Sequence, residues 1–147
     1  MRIATWNINS VRLRQDMVKR FMSEHQPDVL CLQETKTPDE LFPRDAFTGL
    51  GYKHQHIHGM KGYNGVAILS RVPLANLSIE RWAGKDDCRH IHATLPDKTE
   101  LHCLYVPAGG DIPDVTLNEK FAHKLTLLDE LSGWWKKKSA HETRKIL

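Results

Sequence analysis

The 147-residue sequence predicts an α+β fold, an α/β layered domain with one mixed sheet and flanking helices. Three observations point there. An apolar strand, a helix and a second apolar strand open the chain, a run of short strands fills its middle, and a long amphipathic helix follows. With 40% hydrophobic and 27% charged residues, the composition is that of a globular domain able to bury a core.

"RIATWNI" (2–8) alternates Ile3, Thr5 and Asn7 with Ala4, Trp6 and Ile8, β-favouring residues on both faces. Ser10 suits the N-cap of the next segment, in which Met17, Val18, Phe21 and Met22 recur at helical spacing until "QPD" ends it. "DVLCLQ" reads as a buried strand, and "ETK" after it sets the carboxylate of Glu34 at the strand's end, where burial requires a partner. Further on, "YKHQHIH", "GVAILS", "PLANLSIE", "RHIHATL" and "ELHCLYV" read as strands, the last two joined by the turn-forming "PDKT".

His54, His56 and His58 share one strand face, as do His90 and His92. A His-x-His pair can ligate zinc, but on an ordinary strand these histidines are expected to face solvent, and no role is assigned to them. Past the loop "PAGGDIPDVT", Phe121, Leu125, Leu128, Leu131 and Trp135 make one helical stripe. The final "RKIL" resembles the opening of another strand.

Several classes are disfavoured. No stretch approaches the ~18 apolar residues of a membrane span, and "MRIATWNINS" lacks the apolar run of a signal peptide, so a cytoplasmic protein is expected. Cys31, Cys88 and Cys103 are odd in number and widely spaced, suggesting neither a disulfide framework nor a cysteine zinc site. The net charge is +3, yet residues 1–135 hold 16 basic and 17 acidic residues, so the basicity lies in "KKKSAHETRKIL". That segment suits a solvated helix end, favoured by the helix dipole, better than a phosphate-binding patch.

Asn7, Glu34 and Tyr105 stand at the ends or on the faces of the inner strands. Singly, each has an ordinary structural explanation: a turn asparagine, a paired carboxylate, a core aromatic with its hydroxyl at the surface. Together, a carboxylate and an amide oxygen make a hard, oxygen-only site of the kind magnesium accepts. A metal there would act as a Lewis acid on a phosphoryl oxygen, and a nearby tyrosine hydroxyl could donate to developing charge. This is a phosphodiester-hydrolysing site in outline, without a general base.

"IATWNINSVR", "HQPDVLCLQETK", "GYNGVAILSR" and "LYVP...EKFAHKL" together resemble the bacterial exonuclease III family of abasic-site endonucleases, within the deoxyribonuclease I-like superfamily. The resemblance covers essentially the whole chain. It implies a magnesium-dependent DNA-repair hydrolase (manganese as substitute) that cuts 5′ to abasic sites and removes nucleotides from 3′ ends of duplex DNA. Carried over by residue, Glu34 is the magnesium ligand, Asn7 lies beside the metal and acts in catalysis, and Tyr105 is the active-site tyrosine. Arg12, Lys36, Tyr63 and Arg89 fall where the family grips the DNA backbone, contacts that set register and carry no sequence information. Ala108 stands where the family often has asparagine.

The family continues with a Gly-Asp-Phe-Asn motif, further aspartates and a Ser-Asp-His segment, none of which is in this sequence. Residues 1–147 are therefore expected to form the N-terminal part of a single endonuclease/exonuclease/phosphatase domain, half of a four-layer αββα sandwich, with little activity alone. The alternative is an inactive fragment or decayed copy that self-associates, or binds a partner, through an uncovered sheet face. A phosphorylated lipid or inositol is a weaker substrate reading.

Overall fold

The computed structural model describes residues 1–139 and 144–147. They form two compact units, one of residues 1–80, 87–105 and 144–147, the other of residues 81–86 and the described part of 106–143.

In the first unit, β1 (Ile3–Asn7) and β2 (Val29–Gln33) are parallel, with Ile3 opposite Val29 and Asn7 opposite Gln33. Parallel neighbours need a crossover, here α1 (Gln15–His25), which buries Val18 and Met22 while Met17 stays 55% exposed. Gln26 ends it in the left-handed conformation, its N–H on the Met22 carbonyl, just before Pro27. The expected cap at Ser10 is not formed. Ser10 has φ +85° and donates its N–H to the Glu34 carbonyl, so the helix starts only at Gln15, with Arg14 in the cap position. Two antiparallel strands, β3 (His54–Met60) and β4 (Tyr63–Ser70), complete a sheet of order β1-β2-β4-β3, and α2 (Arg44–Thr48) lies between β2 and β3 in sequence.

The remaining strands do not extend that sheet. β5 (Ala75–Trp82), β6 (Lys85–Thr94), β7 (Glu100–Leu104) and β8 (Lys145–Ile146) make a second one, of order β5-β6-β7-β8. The single mixed sheet expected above is thus corrected to two four-stranded sheets, while the α+β layered class holds. The reason lies in "VLCL" and "NGVAILS", whose residues are buried on both faces and so need two covering layers. Leu30, Leu32, Ala67 and Leu69 pack with Val18, Met22, Phe42 and Phe47 in one cluster; Val29, Cys31, Val66 and Ile68 pack with Ile91, Ala93, Leu101 and Cys103 in another. The face expected to lie open for self-association is filled from within the chain.

Two sequence features read correctly. "PDKT" makes the β6–β7 hairpin, with Leu95 and Thr99 hydrogen-bonded across it and Lys98 left-handed at φ +67°, and "RKIL" pairs in parallel with β7. The histidines are another correction. His56 on β3 and His90, His92 and His102 on β6 and β7 are all under 9% exposed, the last three because the polar side of β6 and β7 is buried too, whereas His54 and His58 are half-buried.

In the second unit, α3 (Glu119–Ser139) buries Leu127 and Leu131, whereas Leu125 and Leu128 are 43% and 37% exposed. Leucines at 125, 127, 128 and 131 permit two competing stripes, and the predicted one is only partly the buried one. Trp134 meets Trp82 edge-on with ring centroids 5.7 Å apart, and Lys138 lies 4.5 Å over Trp134, part of the basic helix end. Residues 140–143 of the basic segment lie outside the described residues. No helix among the described residues is long and apolar enough to cross a membrane.

This packing has a measurable consequence. Ile68→Ala, at a position with no exposure, should lower unfolding free energy by about 2–5 kcal/mol, while Leu13→Ala, at an 83% exposed side chain, should change it by under ~0.5 kcal/mol. Urea unfolding of both variants tests this.

Candidate active site

The site begins where β2 ends. Glu34 and Lys36 both take left-handed backbone conformations, φ +54° and +50°, each costing on the order of 1 kcal/mol for a residue with a side chain. Five backbone hydrogen bonds hold the turn: Thr35 N–H to the Gly65 carbonyl (3.1 Å), Lys36 N–H to Asn64 (2.9 Å), Ser10 N–H to Glu34 (2.7 Å), Val11 N–H to Thr35 (3.1 Å) and Gly62 N–H to Lys36 (3.2 Å). Gly65 is required there twice over, because its φ is +93° and a Cβ would lie 2.1 Å from the Thr35 hydroxyl oxygen.

That turn aims the Glu34 carboxylate, 19% exposed, at three donors from three chain segments. Oε1 accepts from the Asn7 amide (2.7 Å) and the Tyr105 hydroxyl (2.9 Å), and Oε2 lies 3.0 Å from the Lys36 ammonium. The Asn7 donor, helped by Lys36 and Tyr105, holds the carboxyl below its ordinary range against the opposing effect of burial. Burial, and then the bond to Glu34, push the Tyr105 phenol up, so it remains a proton donor. Asn7 turns its amide nitrogen toward Glu34, and its oxygen accepts from the Asn9 N–H at 3.2 Å. In this arrangement it orients the carboxylate.

Of the four candidate DNA contacts, three are accessible. Arg12 is exposed, Tyr63 is 55% exposed at the start of β4, and the Lys36 side chain is 30% exposed. Arg12 and Lys36 line an open groove of about 550 Å³ with Asn9, Ser10, Arg14 and Gly62. Arg89 is placed differently. At 5% exposure, its guanidinium pairs with Asp87 and lies 5.0 Å over the Tyr105 ring, while its carbonyl accepts the Tyr105 N–H. A central-strand arginine is covered by its neighbours, and here it supports the tyrosine. Ala108 is exposed, and its carbonyl accepts from Lys124 at 3.2 Å.

Four residues that build the site were given no role by the sequence. Asn9 accepts Lys36 at 2.6 Å and takes the Arg14 guanidinium on its carbonyl; Asn64, 3% exposed, donates to the Asp87 carbonyl at 2.7 Å; Asp87 holds Arg89. The available signal was the repeated asparagine in "WNIN" and "YNG", a residue that tolerates positive φ and bonds backbone locally.

A carboxylate turn at a strand end, with the cationic side chains of Arg12, Arg14 and Lys36 along the groove beside it, defines a charged site open to anionic ligands. Residues 4–147 match the endonuclease/exonuclease/phosphatase family, and the chain belongs to it. The fold is that of an AP endonuclease from Archaeoglobus fulgidus (TM-score 0.82, 36% identity, 93% of this chain and 51% of that one) and of a 3′-5′ exonuclease from Neisseria meningitidis (TM-score 0.85, 29% identity, 96% and 54%). Among curated proteins, exodeoxyribonuclease III of Haemophilus influenzae is 42% identical over 71 residues (48% of this chain, 26% of that protein), and DNA repair nuclease APEX1 of Danio rerio is 34% identical over 117 residues (73% and 36%). The chain therefore spans about half the length of the solved structures, and 26% and 36% of the two curated relatives.

Two outcomes are expected from this geometry. Gly65→Ala should cost about 1–3 kcal/mol or more, since neither the Thr35 contact nor the backbone angle can be met, and should shift the Glu34 resonances in NMR spectra. Because the folded carboxyl of Glu34 titrates below its unfolded value, the stability it contributes is present above the ordinary carboxylate range and lost as pH falls through the folded value. Glu34→Gln should remove that part of the acid limb in urea titrations run against pH.

Proposed function

We propose that this chain is part of a magnesium-dependent DNA-repair hydrolase, with manganese as a substitute, that cuts 5′ to abasic sites and removes nucleotides from 3′ ends in the cytoplasm. The carrying observation is the Glu34 carboxylate, held ionised at a strand end with a lone pair left on Oε2 beyond the donors Asn7, Tyr105 and Lys36. That donor set fits magnesium, which takes one or two carboxylates and completes its shell with water and phosphate oxygens. Glu34 would hold the ion, with the Asn7 amide fixing its orientation. Bound there, the cation supplies Lewis-acid stabilisation of charge on a phosphoryl oxygen.

The protein's own groups do the rest. Tyr105, kept protonated, offers a hydroxyl to developing negative charge, and Arg89 holds its ring in place. Arg12, Lys36 and Tyr63 present two cations and an aromatic face to a nucleic-acid backbone, without reading bases. Activation of the attacking water needs a base, and the family's Gly-Asp-Phe-Asn segment is not in this sequence. We therefore propose that residues 1–147 alone bind DNA and magnesium but turn over little substrate.

Incubating abasic duplex DNA with the chain, and with any longer gene product that contains it, separates these points. The longer product should nick in magnesium and stop with chelator, and its Glu34→Gln variant should lose about 10²–10³-fold in rate. Nicking that ignores chelator, or its absence in the longer product, overturns the reading. For the 147-residue chain, Arg12→Ala and Lys36→Ala should each reduce the slope of log affinity against log salt by about 1.

A further inference from the structure

The buried histidines of the second sheet are not used by the site at Glu34. His92 on β6 stands directly opposite His102 on β7, and Glu100 lies two residues before His102, hence on the same face. One ligand atom from each of the three lies within 4.8 Å of the others. His102 Nε2 is 2.7 Å from Glu100 Oε1, and His92 Nδ1 is 3.9 Å from it. We propose that His92, Glu100 and His102 bind a divalent transition-metal cation, zinc being the best match.

The donor type comes first. Two imidazoles and a carboxylate form a ligand set that zinc accepts with a fourth position left for water, and imidazole nitrogen selects against magnesium. Zinc–ligand distances near 2.0–2.1 Å put tetrahedral donors about 3.3 Å apart, between the 2.7 and 3.9 Å found here, so modest ring shifts would close the shell.

The outer partners point the same way. A metal-bound histidine normally donates its other ring N–H to a carboxylate or similar acceptor, fixing the tautomer. His92 Nε2 lies 3.0 Å from Glu80 Oε1, and His102 Nδ1 lies 3.0 Å from His90 Nε2. With those protons on the outer nitrogens, both inner nitrogens turn lone pairs toward Glu100. A lone pair 2.7 Å from a carboxylate oxygen is repulsive unless a cation or a proton lies between them. Two carboxylates, Glu80 and Glu100, balance a dication with neutral imidazoles, so this buried group would be neutral overall.

The surroundings suit a retained ion. The side chains of His92, His102 and Glu100 are 9%, 0% and 15% exposed, which excludes most competing water. This site does not depend on the hydrolase reading: its residues stand on the facing strands β6 and β7, whereas Glu34 follows the end of β2 in the other sheet.

Chelator-treated protein titrated with zinc in excess magnesium, followed by calorimetry, tests it, with cobalt(II) absorption as a second readout. One equivalent should bind, and cobalt should give the intense visible bands of a four-coordinate nitrogen/oxygen site. Glu100→Gln, which keeps the shape, and His102→Ala should each weaken zinc at least 10²-fold, Glu80→Gln about 10–100-fold, and Glu34→Gln should leave it unchanged. Thermal melts of each variant with and without zinc separate lost binding from lost folding: the folded variants should lose the zinc-induced rise seen in the parent. Saturation that survives Glu100→Gln and His102→Ala overturns the proposal. So does the absence of saturable binding in the parent, which would leave the 2.7 Å contact as a hydrogen bond from His102 Nε2–H to Glu100.

Discussion

A carboxylate leaving a buried strand keeps its charge only if donors replace the water it loses, and the arrangement around Glu34 follows from that requirement. Asn7 comes from the end of β1, Lys36 from the turn itself, and Tyr105 from the residue after β7, so the first and second sheets both contribute. Hydrogen bonds to an ionised group are worth about 1.5–3 kcal/mol each, enough to offset the left-handed backbone that aims the carboxylate. The same turn uses the Ser10 N–H, and for that reason α1 starts later than its sequence suggests. Strand end, turn, helix start and the Gly65 contact are one coupled unit.

The pairing also sets the protonation states of the two groups. Glu34 is lowered by its donors while Tyr105 is raised by burial and by Glu34, so the pair stays one anion and one neutral hydroxyl over a wide pH range. Arg89 fits this scheme better as a support than as a surface cation. Its charge is taken by Asp87 and its plane by the Tyr105 ring, leaving the accessible positive charge to Arg12, Arg14 and Lys36 along the groove.

Much of this was legible in the sequence, and the failures have physical causes. Period-two patterns located the strands, and strand-end placement located Asn7, Glu34 and Tyr105, three residues that the structure joins by hydrogen bonds. Distribution of strands between two sheets was not legible, because a doubly buried strand such as β4 looks the same whether helices or a sheet cover its second face. Histidine burial was missed for a related reason: alternation divides β6 into two faces but cannot say that the polar one is covered. Arg14 and Asn9 were missed because their roles come from backbone geometry, a guanidinium meeting a carbonyl presented by a left-handed residue.

The β6–β7 hairpin fixes more than the ends of its strands. Its turn pairs Leu95 with Thr99, and counting back from that pair puts His92 opposite His102 and Thr94 opposite Glu100 before any coordinates are seen. A His-x-His pattern alone cannot distinguish a surface strand from a ligand set; facing it with Glu-x-His across a known register can. The two proposals together describe a fold with two unlike cation environments. Oxygen and a nearby ammonium at Glu34 suit a weakly held, water-rich magnesium that must exchange with substrate oxygens, while nitrogen donors with fixed outer partners suit a retained borderline metal. Donor type alone would sort the two ions, because magnesium gains little from imidazole and zinc gains much from it.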